Sequence, residues 1–239
     1  MRIDKMLANL GYGSRKDVKK LLKDGAVKIN DKLVKDAKEH VNPEEDTVTL
    51  FGEVVEYKEF IYLMMNKPPG VISATEDRYE RTVVDLLEME DAIFSPFPVG
   101  RLDKDTEGLL LLTNDGQLSH RLLSPKKHVP KTYFAVIDQE VTEEDVLAFK
   151  KGVTLDDGYV TKSGELAILK SGLRSDIELT ITEGKFHQVK RMFEAIGKKV
   201  LYLKRISMGP LELDETLELG EYRELTEVEL KRLLEYEVK

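Results

Sequence analysis

The stretch 108–113, GLLLLT, constrains this chain more than any other. It is wholly apolar, short, and closed by Asn114-Asp115-Gly116, a turn signal. Such a run suits a buried strand better than a helix. The fold must therefore be organised around a sheet with a real core, and 41% apolar residues can supply one. A length of 239 residues accommodates one large domain or, more readily, a small one followed by a medium one. The approach to the strand is acidic: GRLDKDTE places Asp103, Asp105 and Glu107 just before the leucines, close to Arg101.

Composition removes several function classes. No run of 18 apolar residues exists, so a membrane span is excluded. The opening MRIDKMLANLGYGSRK lacks the apolar stretch of a signal peptide. The absence of cysteine removes disulfides, thiolate zinc sites and cysteine nucleophiles together. His40, His120, His128 and His187 show no metal-ligand spacing. The expectation is a soluble cytoplasmic protein, a monomer, with no membrane partner, no metal and no cofactor.

Net charge is −8, yet its distribution is uneven. Residues 1–38 hold 11 Lys/Arg against 5 Asp/Glu, and 39–59 hold 1 against 7. Residues 120–131 carry 4 basic side chains and no acid, 183–205 carry 7 against 2, and 211–239 carry 4 against 10. Any single basic patch is ordinarily a solvated helix face. Three separate ones favour a nucleic-acid partner, because phosphate contacts act locally within a screening length of about 10 Å.

The first basic segment has its own architecture. Ile3, Met6, Leu7 and Leu10 form the i, i+3, i+4, i+7 stripe of a helix. Ser14 with Asp17 makes a capping box for a second helix, which turns Val18, Leu21 and Leu22 inward and stops at Gly25. AVKINDKLV alternates around Asn30-Asp31 as a hairpin. Arg2, Lys5, Arg15, Lys16, Lys19 and Lys20 fall mostly on the polar helix faces, a platform suited to an RNA backbone. This helix pair with hairpin resembles the S4 RNA-binding domain, over residues 1 to about 50.

EVVEYKEF (53–60) is expected to link this domain, 1–58, to a second, 59–239. The second domain is mixed. FIYLMMN, GLLLLT, KTYFAVID and DIELTIT are expected strands, and KPPG a turn. TVVDLLEM, QLSHRLL and TEEDVLAFKKG are expected helices. FHQVKRMFEAIG is expected to turn Phe186, Val189, Met192, Phe193 and Ile196 inward, leaving His187, Lys190, Arg191 and Glu194 on the outer face.

Several chemistries would use the acids near Asp103. Asp103 with Glu107 matches a glycosidase pair, but the chain has no tryptophan for a sugar platform. Asp103, Asp105 and Glu107 could gather round a divalent ion, but DKDTEG lacks the length and glycine placement of a calcium loop. Taken alone, a structural turn explains such a loop equally well.

The wider pattern separates them. GRLDKDTEGLLLLTNDGQLSHRLLSP, KTYFAV and GKFHQVKRMFEAIG follow in that order at wide separations. Together they resemble the rRNA pseudouridine synthases that carry an N-terminal S4 domain. MRIDK, NKPPG, DGQLSHRLLSP and FHQVKRMF resemble the small-subunit (RsuA-type) members of the RsuA/RluB-like branch. The resemblance implies an α+β protein: an S4 domain followed by a mixed, mainly antiparallel catalytic domain. It implies an isomerase of 16S rRNA, of the uridine-516 type, whose partner is small-subunit rRNA in an assembling particle. Alternatives are a 23S rRNA synthase and a non-catalytic assembly factor.

It also implies residue roles. Asp103 is the nucleophile, with attack on the base, attack on the ribose and assistance to glycal formation all open. Lys190 is the cation that keeps a desolvated carboxylate ionised. Tyr133 stacks on the target base and exchanges a proton. Arg101 fills the gap left by a flipped uridine, its bland alternative being an ion pair with Asp105 or Glu107. His187 orients the third motif, and His187, Arg101 and Arg191 join the RNA-binding set. The acids around Asp103 are turn and capping residues.

Overall fold

The computed structural model describes residues 1–236. The chain divides into two compact units, Met1–Ile61 with Glu88–Ser95, and Tyr62–Leu87 with Pro96 onwards. The first unit opens with α1 (Ile3–Asn9) and α2 (Arg15–Lys23). Ser14 and Asp17 form the capping box that starts α2. Four short strands follow: β1 (Val27–Ile29), β2 (Lys32–Leu33), β3 (Val48–Leu50) and β4 (Glu53–Val55), in the order β2-β1-β3-β4, all antiparallel. Asn30 and Asp31 both take positive φ, 49° and 65°, as a two-residue hairpin turn needs. The helix stripes close over the sheet, with Ile3, Met6, Leu7, Val18, Leu22, Val27 and Val48 at 1% exposure or less. The expected linker is shorter than 53–60, because Glu53–Val55 pairs with β3 and buries Val55. The fragment Glu88–Ser95, holding the single-turn helix α3 (Met89–Ala92), belongs to this unit although its neighbours in sequence do not.

The second unit is built on one sheet. Among the described residues its strands are β5 (Tyr62–Lys67), β6 (Phe97–Pro98), β7 (Glu107–Thr113), β8 (Lys131–Ile137), β9 (Glu165–Lys170), β10 (Ser175–Ile181), β11 (Val200–Met208), β12 (Leu211–Glu212) and β13 (Tyr222–Glu224). The order is β13-β5-β7-β11-β8-β10-β9, with β6 beside β7 and β12 beside β11. Pairing is antiparallel except between β7 and β11, which run parallel. The whole is an α+β arrangement with a mainly antiparallel sheet. Four helices pack with it: α4 (Gly116–Leu123), α5 (Glu143–Lys151), α6 (Gln188–Glu194) and α7 (Glu227–Leu234). Leu109–Leu112 are all at most 1% exposed, which explains why this strand carries no polar side. Burying each contributes about 1.5–3 kcal/mol.

Two local expectations fail here. TVVDLLEM yields only a 3-10 turn, Val84–Leu86, before α3. Asp85 turns back to accept from Thr82 N and Oγ1, at 2.8 and 3.0 Å, and Leu87 reverts to extended backbone. Thr82 and Asp85 cap one turn, but the β-branched Val83-Val84 pair is a weak helix former and the turn ends where Leu87 becomes extended. Phe186 is 71% exposed rather than inward, because α6 begins only at Gln188. His187 before it sits in the left-handed region, φ 50°, which rotates Phe186 off the helical stripe.

Candidate active site

Asp103 occupies the loop between β6 and β7, and buried donors fasten that loop from below. Ser73 Oγ accepts from Leu102 N and donates to Leu102 O, both at 3.0 Å. Gly70 N donates to Lys104 O at 2.7 Å, and Thr106 N donates to Asp103 O at 3.1 Å. Lys67 ends β5 inside the core, 0% exposed. Its ammonium donates to Pro68 O and Thr106 O at 2.9 Å and to Lys104 O at 3.4 Å. Burial drives the Lys67 pKa down to about 8, against the pull of Asp105, Asp103 and Glu107. The NKPPG turn and its lysine thus set the height at which Asp103 leaves the sheet. The sequence held one signal of this: a lysine closing an apolar strand directly before two prolines.

The side chains converge above this floor. Lys190, on α6, places Nζ 3.1 Å from Asp103 Oδ2 and 2.6 Å from Asp105 Oδ1. Burial works against the Lys190 charge, but hydrogen bonds to Asp105 and Asp103 outweigh it and raise its pKa. Burial likewise opposes Asp105, yet the Lys190 hydrogen bond and charge leave its pKa lowered. Asp105 is therefore more than a turn residue, since it shares the cation with Asp103. His187 Nε2 lies 3.6 Å from Asp103 Oδ1, beyond hydrogen-bond reach, and its ring stacks on Phe186 at 3.7 Å between centroids. Tyr133, on β8 and 8% exposed, lines a cavity of about 70 Å³ together with Asp103, Arg101 and His187. Thr106 also lines it, with a buried Oγ1 that has no partner.

Arg101 is exposed at the mouth of this cavity. The bland alternative for it, a pair with Asp105 or Glu107, is absent, for both acids are engaged: Asp105 by Lys190, and Glu107 by Tyr202 Oη at 2.6 Å. Arg191 departs from the expected outer face. Its guanidinium is clamped by Asp156 and, at 2.7 Å, by Asp157, and its side chain is 16% exposed. In the first unit, Lys5, Arg15, Lys16, Lys19 and Lys20 are exposed. Arg2 is instead paired with the buried Asp4, Nε–Oδ1 3.0 Å and Nη2–Oδ2 2.6 Å.

Comparison with known proteins connects this geometry to a family. Residues 61–195 match the RNA pseudouridylate synthase model, and residues 1–48 match the S4 domain. An uncharacterized RNA pseudouridine synthase of Bacillus subtilis (strain 168), YtzG, is 60% identical, covering 98% of this chain and 99% of that protein. Ribosomal small subunit pseudouridine synthase A of Haemophilus influenzae is 40% identical over 98% of this chain and 100% of its own. Ribosomal large subunit pseudouridine synthase B of Bacillus subtilis is also 40% identical, over 97% and 95%. A crystal structure of a pseudouridylate synthase superposes with a TM-score of 0.68 at 39% identity, covering 98% of this chain and 99% of that one. With an S4 domain ahead of the catalytic sheet, the chain belongs to the RNA pseudouridylate synthase family, isomerases of RNA, in its RsuA/RluB branch.

Proposed function

We propose that this isomerase converts one uridine of small-subunit rRNA, of the uridine-516 type, to pseudouridine, with Asp103 as its nucleophile. The observation that supports it best is Asp103 held 3.1 Å from Lys190 on the wall of a cavity shared with Tyr133 and Arg101. The reaction breaks the C1′–N1 bond and joins C1′ to C5; C5 loses a proton and N1 gains one, so the composition is unchanged. A carboxylate that engages the flipped nucleotide and assists its return meets this need. Lys190 holds its ammonium against the carboxylate, Tyr133 lies against the base and relays a proton, and Arg101 fills the stack that the base vacates. Residues 1–58 serve as the rRNA-binding domain and 59–239 as the catalytic one.

The small-subunit assignment rests on the motif resemblance and on relatives named for that subunit. A large-subunit target is the second reading, favoured by the equally similar large-subunit synthase B. Asp103→Asn, close to isosteric, should abolish tritium release from small-subunit rRNA or its particle while leaving binding unchanged. Substantial turnover by that variant would remove the nucleophile assignment. A pseudouridine map of a deletion strain decides between subunits: loss of a site only in large-subunit rRNA would replace the first reading by the second.

A further inference from the structure

We propose that a pocket floored by Lys131 and Arg205 binds a backbone phosphate of the substrate RNA beside the target uridine. The proposal rests on the reading of Asp103 as the catalytic residue, since that reading says where the uridine lies. Lys131 and Tyr133 are two apart on β8 and so share a face of the sheet. Arg205 is the register partner of Tyr133 on β11. The three side chains line a pocket of about 300 Å³ that shares Tyr133 and Arg101 with the cavity of Asp103.

The charges in this pocket are unbalanced. Arg205 is 2% exposed; its Nε donates to Leu109 O at 2.8 Å, and its buried Nη2 has no partner. Lys131 Nζ donates to Val129 O at 3.0 Å and, among the described residues, forms no ion pair with a carboxylate. Burial, followed by the charge of Arg205, pushes the Lys131 pKa down to about 8. The acid on the pocket wall, Glu183, is already engaged by Tyr159 Oη at 2.8 Å, Lys162 N at 3.0 Å and Gln188 Nε2 at 2.6 Å. Two neighbouring cations withdrawn from water without a counter-ion are unfavourable unless a ligand brings the negative charge. A phosphodiester suits them, with several strong acceptor oxygens for a free guanidinium N–H and an ammonium. A nucleotide whose base faces Asp103 carries such a group within one nucleotide's reach.

Uridine 5′-monophosphate and uridine are the probes, titrated calorimetrically and by NMR into the full chain at millimolar concentration. The wild type should bind the monophosphate about tenfold more tightly than the nucleoside, the scale of one charge-assisted contact. Lys131→Gln should reduce that ratio to about one, and Lys131→Arg should restore most of it, with circular dichroism confirming the fold of each. A wild-type ratio below about threefold, including no detectable binding of either probe, overturns the proposal, as does a Lys131→Gln protein that keeps the full preference. Asp103→Asn should retain the preference while losing isomerisation. If it retains activity, the catalytic reading fails and the anion site must stand on the binding data alone.

Discussion

One ammonium serves two carboxylates: Lys190 Nζ stands 3.1 Å from Asp103 and 2.6 Å from Asp105. The shorter contact is the more screened one. The Asp105 side chain is 74% exposed, so water screens its share, whereas Asp103 is 24% exposed and faces the cavity. Asp105 holds the lysine in place from the solvent side, and the lysine in turn fixes Asp103.

Lys190→Met should therefore reduce single-turnover isomerisation by about a hundredfold or more, the scale of losing one preorganised electrostatic partner. RNA affinity should stay within about threefold, because most phosphate contacts lie elsewhere. Turnover close to wild type at neutral pH would sink the ion-pair role.

Lys67 makes a pH-dependent prediction. Its pKa falls from 10.5 to about 8 on folding, so between these values the unfolded chain binds more protons. Stability attributable to Lys67 should rise as pH climbs from about 8 to 10.5, by on the order of 3 kcal/mol. Urea unfolding of wild type and Lys67→Met at pH 7.5 and 10 isolates the effect: the advantage of the wild type should widen at the higher pH. Lys67→Met should also lower activity at every pH, since three carbonyls of the Asp103 loop region lose their donor.

Gly108 lies where β7 runs parallel to β11. Its φ is +102°, and an added Cβ would fall 2.2 Å from Arg205 O and 2.8 Å from Arg205 N. Gly108→Ala should cost about 3 kcal/mol or more and lower Tm by roughly 6–12 °C. Gly116→Ala is the control, with nothing within 4 Å and a place in the first turn of α4, and should be neutral or mildly stabilising. Equal melting temperatures for the two variants would refute the close-approach account.

The basic face of the first unit is not uniform. Replacing Arg15, Lys16, Lys19 and Lys20 by serine should make the salt dependence of rRNA binding shallower, by about 0.7–0.9 for each phosphate no longer neutralised. Arg2→Ser should barely change that slope, because Arg2 is committed to Asp4. Its effect should appear in thermal stability instead, by leaving the buried Asp4 without its partner.

The elements with strong local codes are legible without the fold. Ser14 with Asp17 caps α2, Asn30-Asp31 turns a hairpin, and four leucines form a buried strand, each through interactions a few residues apart. Strands β9 and β11 are not legible in this way, because polar positions interrupt their apolar pattern and only pairing with neighbours stabilises them, whereas α7 does carry a local code, the Thr226–Glu229 capping box. Arg205 illustrates the difficulty: a charged residue in the middle of β11 reads as surface, yet it is 2% exposed.

The candidate site residues are visible in the chain alone. Asp103, Tyr133, Lys190 and Arg101 are recognisable from motif order, as are the basic helices of the first unit. The sequence could not show which cations are available, because which charges pair is settled by how the side chains are placed in the fold. Arg191 reads as free and is held by acids 34 and 35 positions earlier; Arg2 reads as free and is bound to Asp4. Asp105 reads as a turn residue and shares a lysine 85 positions away. Only the tertiary structure brought Lys67 under the Asp103 loop and set Lys131 against Arg205, for burial and the pairing of distant charges are properties of the folded chain alone.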